Sequence, residues 1–362
     1  MSHSHLLNGK KREDGSGTKT PDIGPLTLDQ IARMAGTSKS TVSRVISHDP
    51  RISEKTKARV QHIIEQRHYR PNLFARALAG GKTGLIGVIS SNIGSGFYAE
   101  VIRGIDLVFH RDNKRLLVSF AHFENDYEAL WRDLALDGRV EGLVIIAPTA
   151  EFFSLSLPPS PIPSVICAGS PPPTSATWRT TDRVGMDNAA AMHGLVEHLV
   201  KQGCHRVLHA AGWNNNHDAV ERRRAFIKAC RDMAIEGSVE VFGITNTDGE
   251  HGMNRYLQEH RRMPDAIVAF NDALALGIRE TWRKQSRDRH IPFLLSGWDD
   301  SPAAMAIGLS SVSIPFTQLG ETAAQILNDR INQTMAPGKV VKSQIALSLQ
   351  LRNSTLQPST FF

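Results

Sequence analysis

Apolar and polar positions follow two different rhythms along this chain, and the change from one to the other divides it. Up to about residue 66 the apolar residues return every three or four positions, the spacing that gathers side chains on one face of a helix. The stretch Thr27–Ile46, TLDQIARMAGTSKSTVSRVI, predicts two short helices around a tight turn. Thr27 and Gln30 stand three apart, as a capping box requires, so that hydroxyl and amide satisfy each other's orphan backbone donors. Ile31, Ala32 and Ala35 supply a buried face. Gly36 can take the left-handed conformation that stops the helix, and Ser38 is placed to cap the next one. Val42, Val45 and Ile46 then face inward. Ser53 opens a third helix with Val60, Ile63 and Ile64 on one side, enough for three helices to close a small core. Behind Pro71, Asn72 can cap the segment LFARALA, which Gly80 and Gly81 end. Isolated helices shorter than about 12 residues are marginal in water, so this one needs something to hold it.

From Thr83 the rhythm changes to short apolar runs alternating with amphipathic helices. TGLIGVIS, RLLVSFA and GLVIIAP read as strands, separated by helices through YAEVIRGIDLVFHR and DYEALWRDLALDGR. A second series starts near Asp187, with helices AAAMHGLVEHLVKQG, AVERRRAFIKACRDM, GMNRYLQEH and ALALGIRETWRK and strands RVLHAA, VEVFGI, AIVAF and FLLSG. Strand–helix alternation predicts parallel sheets covered on both faces, here two similar α/β subdomains. The expected class is a three-helix headpiece with a hinge helix, followed by a core of two doubly wound parallel-sheet subdomains. The domains are then a Ser-, Gly-, Lys- and His-rich disordered tail over 1–25, the headpiece over 26–70, the hinge helix and linker over 71–82, and the core over 83–362.

Charge sharpens this division. The chain has 362 residues and a net charge of +6, but residues 1–82 carry 15 Lys+Arg against 7 Asp+Glu, while the remainder has 27 against 29. A basic end on a near-neutral body implies a polyanionic partner at that end. On the second helix Lys39, Ser40, Thr41, Ser43 and Arg44 stay outward, a small basic surface of the kind that enters a DNA major groove. An ordinary helical hairpin with solvated charges fits the same pattern. Cys167, Cys204 and Cys230 lie far apart with no metal-ligand spacing and are expected to be reduced. No apolar run reaches the length of a membrane span and no signal-peptide core is apparent, so the expected location is the cytoplasm.

The order AxxAGTSKSTVSRVI, SEKTKARV, YRPNLFARAL resembles the DNA-binding headpiece of the LacI/GalR family of bacterial transcriptional regulators. Weaker likenesses (GLIGVI, RVEGLVI, GMDNAAA, AFNDALALGIR, SGWDD) extend to the carboxyl end and resemble the family's periplasmic-binding-protein-like core. The resemblance implies a homodimer on a pseudo-palindromic operator, a repressor in most relatives, controlled by a small-molecule effector such as a sugar or sugar derivative between the subdomains. The chain would cross between subdomains near 180–184, 312–315 and 340–345. Lys39 and Ser40 match the pair that faces base edges, with Arg44 one turn on. Thr41, Ser43 and Asn72 are phosphate contacts, and Leu78 matches the leucine driven between base pairs by paired hinge helices. A linker whose leucines pack on the body is the plainer alternative for that helix.

A ligand in such a fold sits beyond the carboxyl ends of the strands. Those ends nominate Ser91, Phe97, Tyr98, Asn271, Trp298 and Asp299, and the family's RxxGF helix, written RRRAF here, adds Arg222. Asp272 serves equally well as a helix cap, and Trp298 as core. Two departures lie beside the expected cleft: Cys167, Ala168 and Gly169 replace the family's acidic-basic pair, and SSNIGSGFYAE carries an extra Gly-Ser. A transport solute-binding protein shares the cleft but has no use for the headpiece, and a regulator sensing a nucleobase or organic acid fits as well as a sugar sensor. No GxGxxG, P-loop, nucleophile triad or metal grouping is evident, so neither an enzyme nor a cofactor is expected.

Overall fold

In the computed structural model the described residues are 26–46, 49–69, 82–91, 96–122, 126–147, 150–155, 160–169, 178–285, 292–336 and 338–356. The tail, the hinge segment with Asn72 and Leu78, and the Gly-Ser insertion at 94–95 lie outside them. The chain forms two units, divided between Ala79 and Gly80.

The first unit holds α1 (Leu28–Met34), α2 (Lys39–Ile46) and α3 (Glu54–Gln66). Its capping box closes as the spacing predicts: the Thr27 N–H donates to Gln30 Oε1 at 2.7 Å, and the Gln30 N–H donates to Thr27 Oγ1 at 3.3 Å. Ala35 caps the carboxyl end and Gly36 follows at φ +55°, a conformation that costs glycine nothing. Ser53 caps α3 through the Thr56 N–H. Ile31, Ala32, Ala35, Val42, Val45 and Val60 are buried together, joined by Tyr69.

The second unit contains two six-stranded sheets. In the first the order is β11-β5-β4-β3-β1-β2, all parallel, built from β1 (Leu85–Ser90), β2 (Arg115–Phe120), β3 (Leu143–Ile146), β4 (Ser164–Cys167), β5 (Asp182–Met186) and β11 (Lys342–Ile345). Its helices are α4 (Gly96–Arg111), α5 (Asp126–Leu136), α6 (Ala150–Ser154) and, late in the chain, α12 (Phe316–Ile331). In the second sheet the order is β12-β10-β9-β8-β6-β7, from β6 (Arg206–Ala211), β7 (Glu236–Val241), β8 (Ala266–Ala269), β9 (Leu294–Asp299), β10 (Ser310–Ser313) and β12 (Ser348–Gln350), with only the β10–β12 pair antiparallel. Around it pack α7 (Asn188–Lys201), α8 (His217–Asp232), α9 (Asn246–Glu259), α10 (Asp272–Gln285), α11 (Pro302–Ala306) and α13 (Asn353–Leu356).

The subdomains share a construction device. A Cβ at Gly104 of α4 would collide with the Thr317 carbonyl of α12, and one at Gly277 of α10 with the Asn246 carbonyl of α9. Glycine lets each helix pair close backbone to backbone. One apolar cluster runs through both sheets, from Ile86 and Val144 to Val207 and Trp298, so the subdomains are tied by a common core.

The chain passes between the sheets three times. The first crossing follows Met186, later than the predicted 180–184, because Asp182–Met186 is itself a strand of the first sheet. The others fall after Ser313 and after Ile345. Strand β7 begins at Glu236 and helix α9 at Asn246, both ahead of the segments the apolar pattern suggested. A second capping box, Thr245 with Asp248, starts α9 ahead of Gly249 and Gly252.

Candidate functional site

Two places gather the sequence-nominated residues. On α2, Val42 and Val45 anchor the helix inward, and Lys39, Ser40, Ser43 and Arg44 are exposed on the other side. Ser38 organises the helix start: its hydroxyl pairs with those of Ser40 and Thr41, both at 2.8 Å, and accepts the Thr41 N–H. Lys39 reaches Asp29 of α1 at 3.5 Å, a long exposed ion pair that a phosphate or a base edge can displace at little cost. Asp49 is held by Arg51 at 2.7 Å, which with Arg44 nearby keeps its carboxyl far below the usual range. The result is a helix with a cationic outer face and a fixed inner one. Asn72 and Leu78 cannot be placed against it, since they lie outside the described residues.

The second place is the cleft beyond the carboxyl ends of both sets of strands. Arg222 on α8 is 3% exposed and is its centre. Its Nε donates to Asn188 Oδ1 at 3.2 Å, its Nη1 donates to the Phe270 carbonyl at 2.8 Å, and its guanidinium lies 4.7 Å from the Phe270 ring and 4.5 Å from the Trp298 ring. Nη2 has no acceptor among the described residues. A guanidinium clamped on three sides offers one edge to a ligand. Asn188, fully buried, turns its amide towards Asp218 at 3.2 Å and Glu221 at 3.1 Å, so one residue sets the positions of Arg222 and both acids.

Asp299 ends β9 beside Arg222. Burial pushes its carboxyl up to about 7 against the pull of Arg222, and the neighbouring Asp272 and Asp218 add to the rise. It has neither a hydrogen-bond donor nor an ion-pair partner among the described residues. Its φ of +107° is a conformation that side chains other than glycine adopt at a cost of about 1–3 kcal/mol. A half-buried carboxylate without a protein partner thus stands on left-handed backbone next to a guanidinium with one nitrogen uncommitted.

Other nominated residues are already occupied. Asn271 accepts the Leu274 N–H at 2.8 Å, capping α10, and donates to the Ile244 carbonyl at 2.9 Å. Asp272, which could have been either cap or ligand, is buried and bonds Ser311 Oγ and the Ser301 N–H, both at 2.6 Å. Ser91 donates to the Tyr98 hydroxyl at 2.8 Å, and the Asp218 charge reaches that phenol, which burial holds above its ordinary pKa. Phe97 packs edge-on against Tyr98 and Phe316, with centroids 4.7 and 5.4 Å away. Trp298 is core, fully buried, although its indole N–H has no partner. The fold thus brings Arg222, Trp298 and Asp299 together, puts the Tyr98 phenol, bonded to Ser91, within the field of Asp218, and commits Asn271 to the scaffold.

Sequence reasoning missed Asp218 and Glu221. Their spacing from Arg222 on α8, four residues and one, was the available signal. With His217 they place ligand atoms within 4.8 Å of one another, a grouping that no sequence motif announced. Cys167, Cys204 and Cys230 are buried free thiols. No helix among the described residues is long and apolar enough to cross a membrane.

Against known proteins, the profile described as bacterial regulatory proteins, lacI family, matches residues 27–72, and that of the periplasmic binding protein-like domain matches residues 196–355. Catabolite control protein A of Priestia megaterium is 27% identical over 341 residues, covering 91% of this chain and 99% of its own length. The ribose operon repressor of Escherichia coli (strain K12) is 28% identical over 321 residues, covering 85% and 93%. Among solved structures, the lac repressor dimer bound to operator and the anti-inducer ONPF superposes with a TM-score of 0.80 at 23% identity over 92% of this chain and all of that one. The transcriptional regulator CelR in complex with cellobiose superposes with a TM-score of 0.65, also at 23% identity, over 91% of this chain and 99% of that one.

Proposed function

The chain belongs to the LacI/GalR family of bacterial transcriptional regulators, and on that premise we propose that it is a repressor whose hold on operator DNA is set by a small molecule in its cleft. We assign residues 26–70 to DNA binding, 71–82 to the hinge and 83–362 to effector binding and dimerisation. The observation that carries the first half is the outer face of α2, where Lys39, Ser40 and Arg44 stand free of the small core that fixes the helix. Lys39 and Arg44 are suited to guanine edges, while Thr41, Ser43 and Asn72 hold the phosphate backbone. A headpiece this small reads one half-site, so a homodimer reads a two-fold symmetric sequence; the lac repressor, too, binds its operator as a dimer. Leu78 is the wedge that opens the centre of that site.

The second half rests on Arg222 and Asp299. A sugar or sugar derivative offers the several hydroxyls that a one-edged guanidinium and an unpaired carboxylate can bracket, with the Tyr98 phenol and Asp218 completing the polar rim. Binding there changes the angle between the subdomains and, through the segments leaving the first sheet, the pairing of the hinge helices that DNA requires. Regulation without catalysis is the reading: among the described residues at the cleft, the Ser91 hydroxyl is spent on Tyr98 and burial raises the Cys167 thiol far above its ordinary pKa.

Selection from genomic fragments tests this. The full chain is expected to enrich a two-fold symmetric sequence, and Leu78→Ala to lose that enrichment while the body keeps its melting temperature. Enrichment without symmetry, or equal enrichment by the variant, contradicts the reading.

A further inference from the structure

Along α8 from Arg222, where Asn188 joins that guanidinium to Asp218 and Glu221, lies a cavity of about 300 Å³ whose two walls carry opposite charges. One wall is the edge of the first sheet. Arg183 on β5 and Lys342 on β11 are direct partners in the parallel ladder, so their side chains leave the same face of the sheet from strands only about 4.8 Å apart. Like charges in that relation repel. Neither has a carboxylate within ion-pair distance among the described residues; Lys342 is exposed to water, but Arg183 Nη1 is buried with no acceptor. Burial also lowers the Arg183 pKa, the mark of a cation in want of an anion. The space before them is left open by Gly185, two residues along the same face, and by Gly169, which stands where relatives carry the acidic-basic pair. The other wall is Asp218 and Glu221, steadied by Asn188 and unpaired with either cation.

We propose that the effector is a small polyhydroxylated acid, its carboxylate or phosphate seated between Arg183 and Lys342 and its hydroxyls donating to Asp218 and Glu221. The inference rests on the cleft being the effector site and names the chemical class that site takes. It explains why half-buried Arg183 and exposed Lys342 stand side by side across from an acidic wall without reaching it: the ligand supplies an anion to one wall and hydroxyl donors to the other, where Glu221 otherwise meets only Asn188 and His217. The Cys167–Gly169 departure falls on the same cavity, where Gly169 is part of the lining.

The test is titration of the full chain with a panel of aldonates, uronates and sugar phosphates of several configurations, each beside its neutral parent sugar or polyol, read by melting temperature and calorimetry. At least one acid is expected to bind at least tenfold tighter than its neutral parent, and whether carboxylates or phosphates respond identifies the anion. Arg183→Gln and Lys342→Gln should each weaken that acid about tenfold without lowering the ligand-free melting temperature, because each removes a like-charge repulsion. Neutral parents binding as tightly as their acids, no acid in the panel binding, or an acid whose affinity ignores both substitutions overturns the proposal. Asp299→Ala separates the two layers. An acid sensitive to Arg183 and Lys342 but indifferent to Asp299 would keep the anion subsite and sink the bracketing role of Asp299, and a neutral sugar sensitive to Asp299 alone would do the reverse.

Discussion

The DNA-reading helix and the cleft are built on opposite principles. On α2 the structural and functional residues are separate: Val42 and Val45 are wholly buried, while Lys39, Ser40 and Arg44 are exposed and make only weak local contacts. In the cleft the same residues do both jobs, and most polar atoms of Arg222, Asn188 and Asp272 are bonded to protein before any ligand arrives. The difference follows from dielectric and partner. A polyanion in water can be met by solvated side chains that cost little to keep, whereas a small ligand in a buried cleft needs groups fixed in advance, and each buried polar atom left unbonded costs about 1–3 kcal/mol. What stays unbonded in the cleft is therefore informative, and what stays unbonded on α2 is ordinary.

The sharpest way to break that comparison is to remove the headpiece core. Ile31 is fully buried among three short helices, and Ile31→Ala should cost about 2–5 kcal/mol, comparable with the whole stability of so small a unit. DNA binding should vanish while the body keeps its melting transition, because the two units are separate clusters of contacts. A single transition lowered throughout would show the units to be coupled. A smaller effect is expected on the surface. Arg44→Ala should weaken operator binding about tenfold to a hundredfold and relax base preference in each half-site, the usual size of one lost guanine contact. Uniform weakening across sequences, with a shallower salt dependence, would move Arg44 to the phosphate backbone.

The smallest effect is a pH signature. Asp299 titrates near 7 in the fold and near 3.9 when unfolded, so the stabilisation its protonated form provides is present in acid and lost as pH rises through 7. Wild-type stability should fall as pH rises from about 4 to about 7 and level off above that, by an amount that Asp299→Asn removes, a few degrees in melting temperature. Effector hydroxyls that donate to the carboxylate should bind more tightly as pH rises through about 7. Parallel melting curves for both proteins at every pH would reject the shifted carboxyl.

The two regions also differ in how much of them the sequence discloses. Thr27 with Gln30, Gly36, Ser38 and Ser53 act within a few residues of themselves, so their spacing is the structure, and the headpiece follows. The α/β alternation was equally legible, down to the paired sheets. Strand β11, KSQI, gives no strand signal in the sequence, because an edge strand with polar residues carries no apolar run. Helix α9 begins before Gly249 and Gly252 because those glycines serve close helix and aromatic contacts rather than a stop. In the cleft, strand ends pointed to Asp299 and family likeness to Arg222, yet Asn271 proved to be a cap. Asp218, Glu221, Arg183 and Lys342 carry no local signal: their meaning depends on neighbours some 30 to 160 residues away, and only the crossing of the chain between sheets brings those neighbours together.

The central claim is that occupancy of the cleft controls the headpiece. It is tested most directly by measuring the affinity of the full chain for its selected operator with and without the compound that most raises its melting temperature, in wild type and in Asp299→Ala. The account predicts at least a fivefold change in wild-type affinity, in the range of ordinary allosteric couplings, and none in the variant, whose unliganded affinity stays at the wild-type level. An operator affinity that ignores every compound bound by the cleft would contradict it.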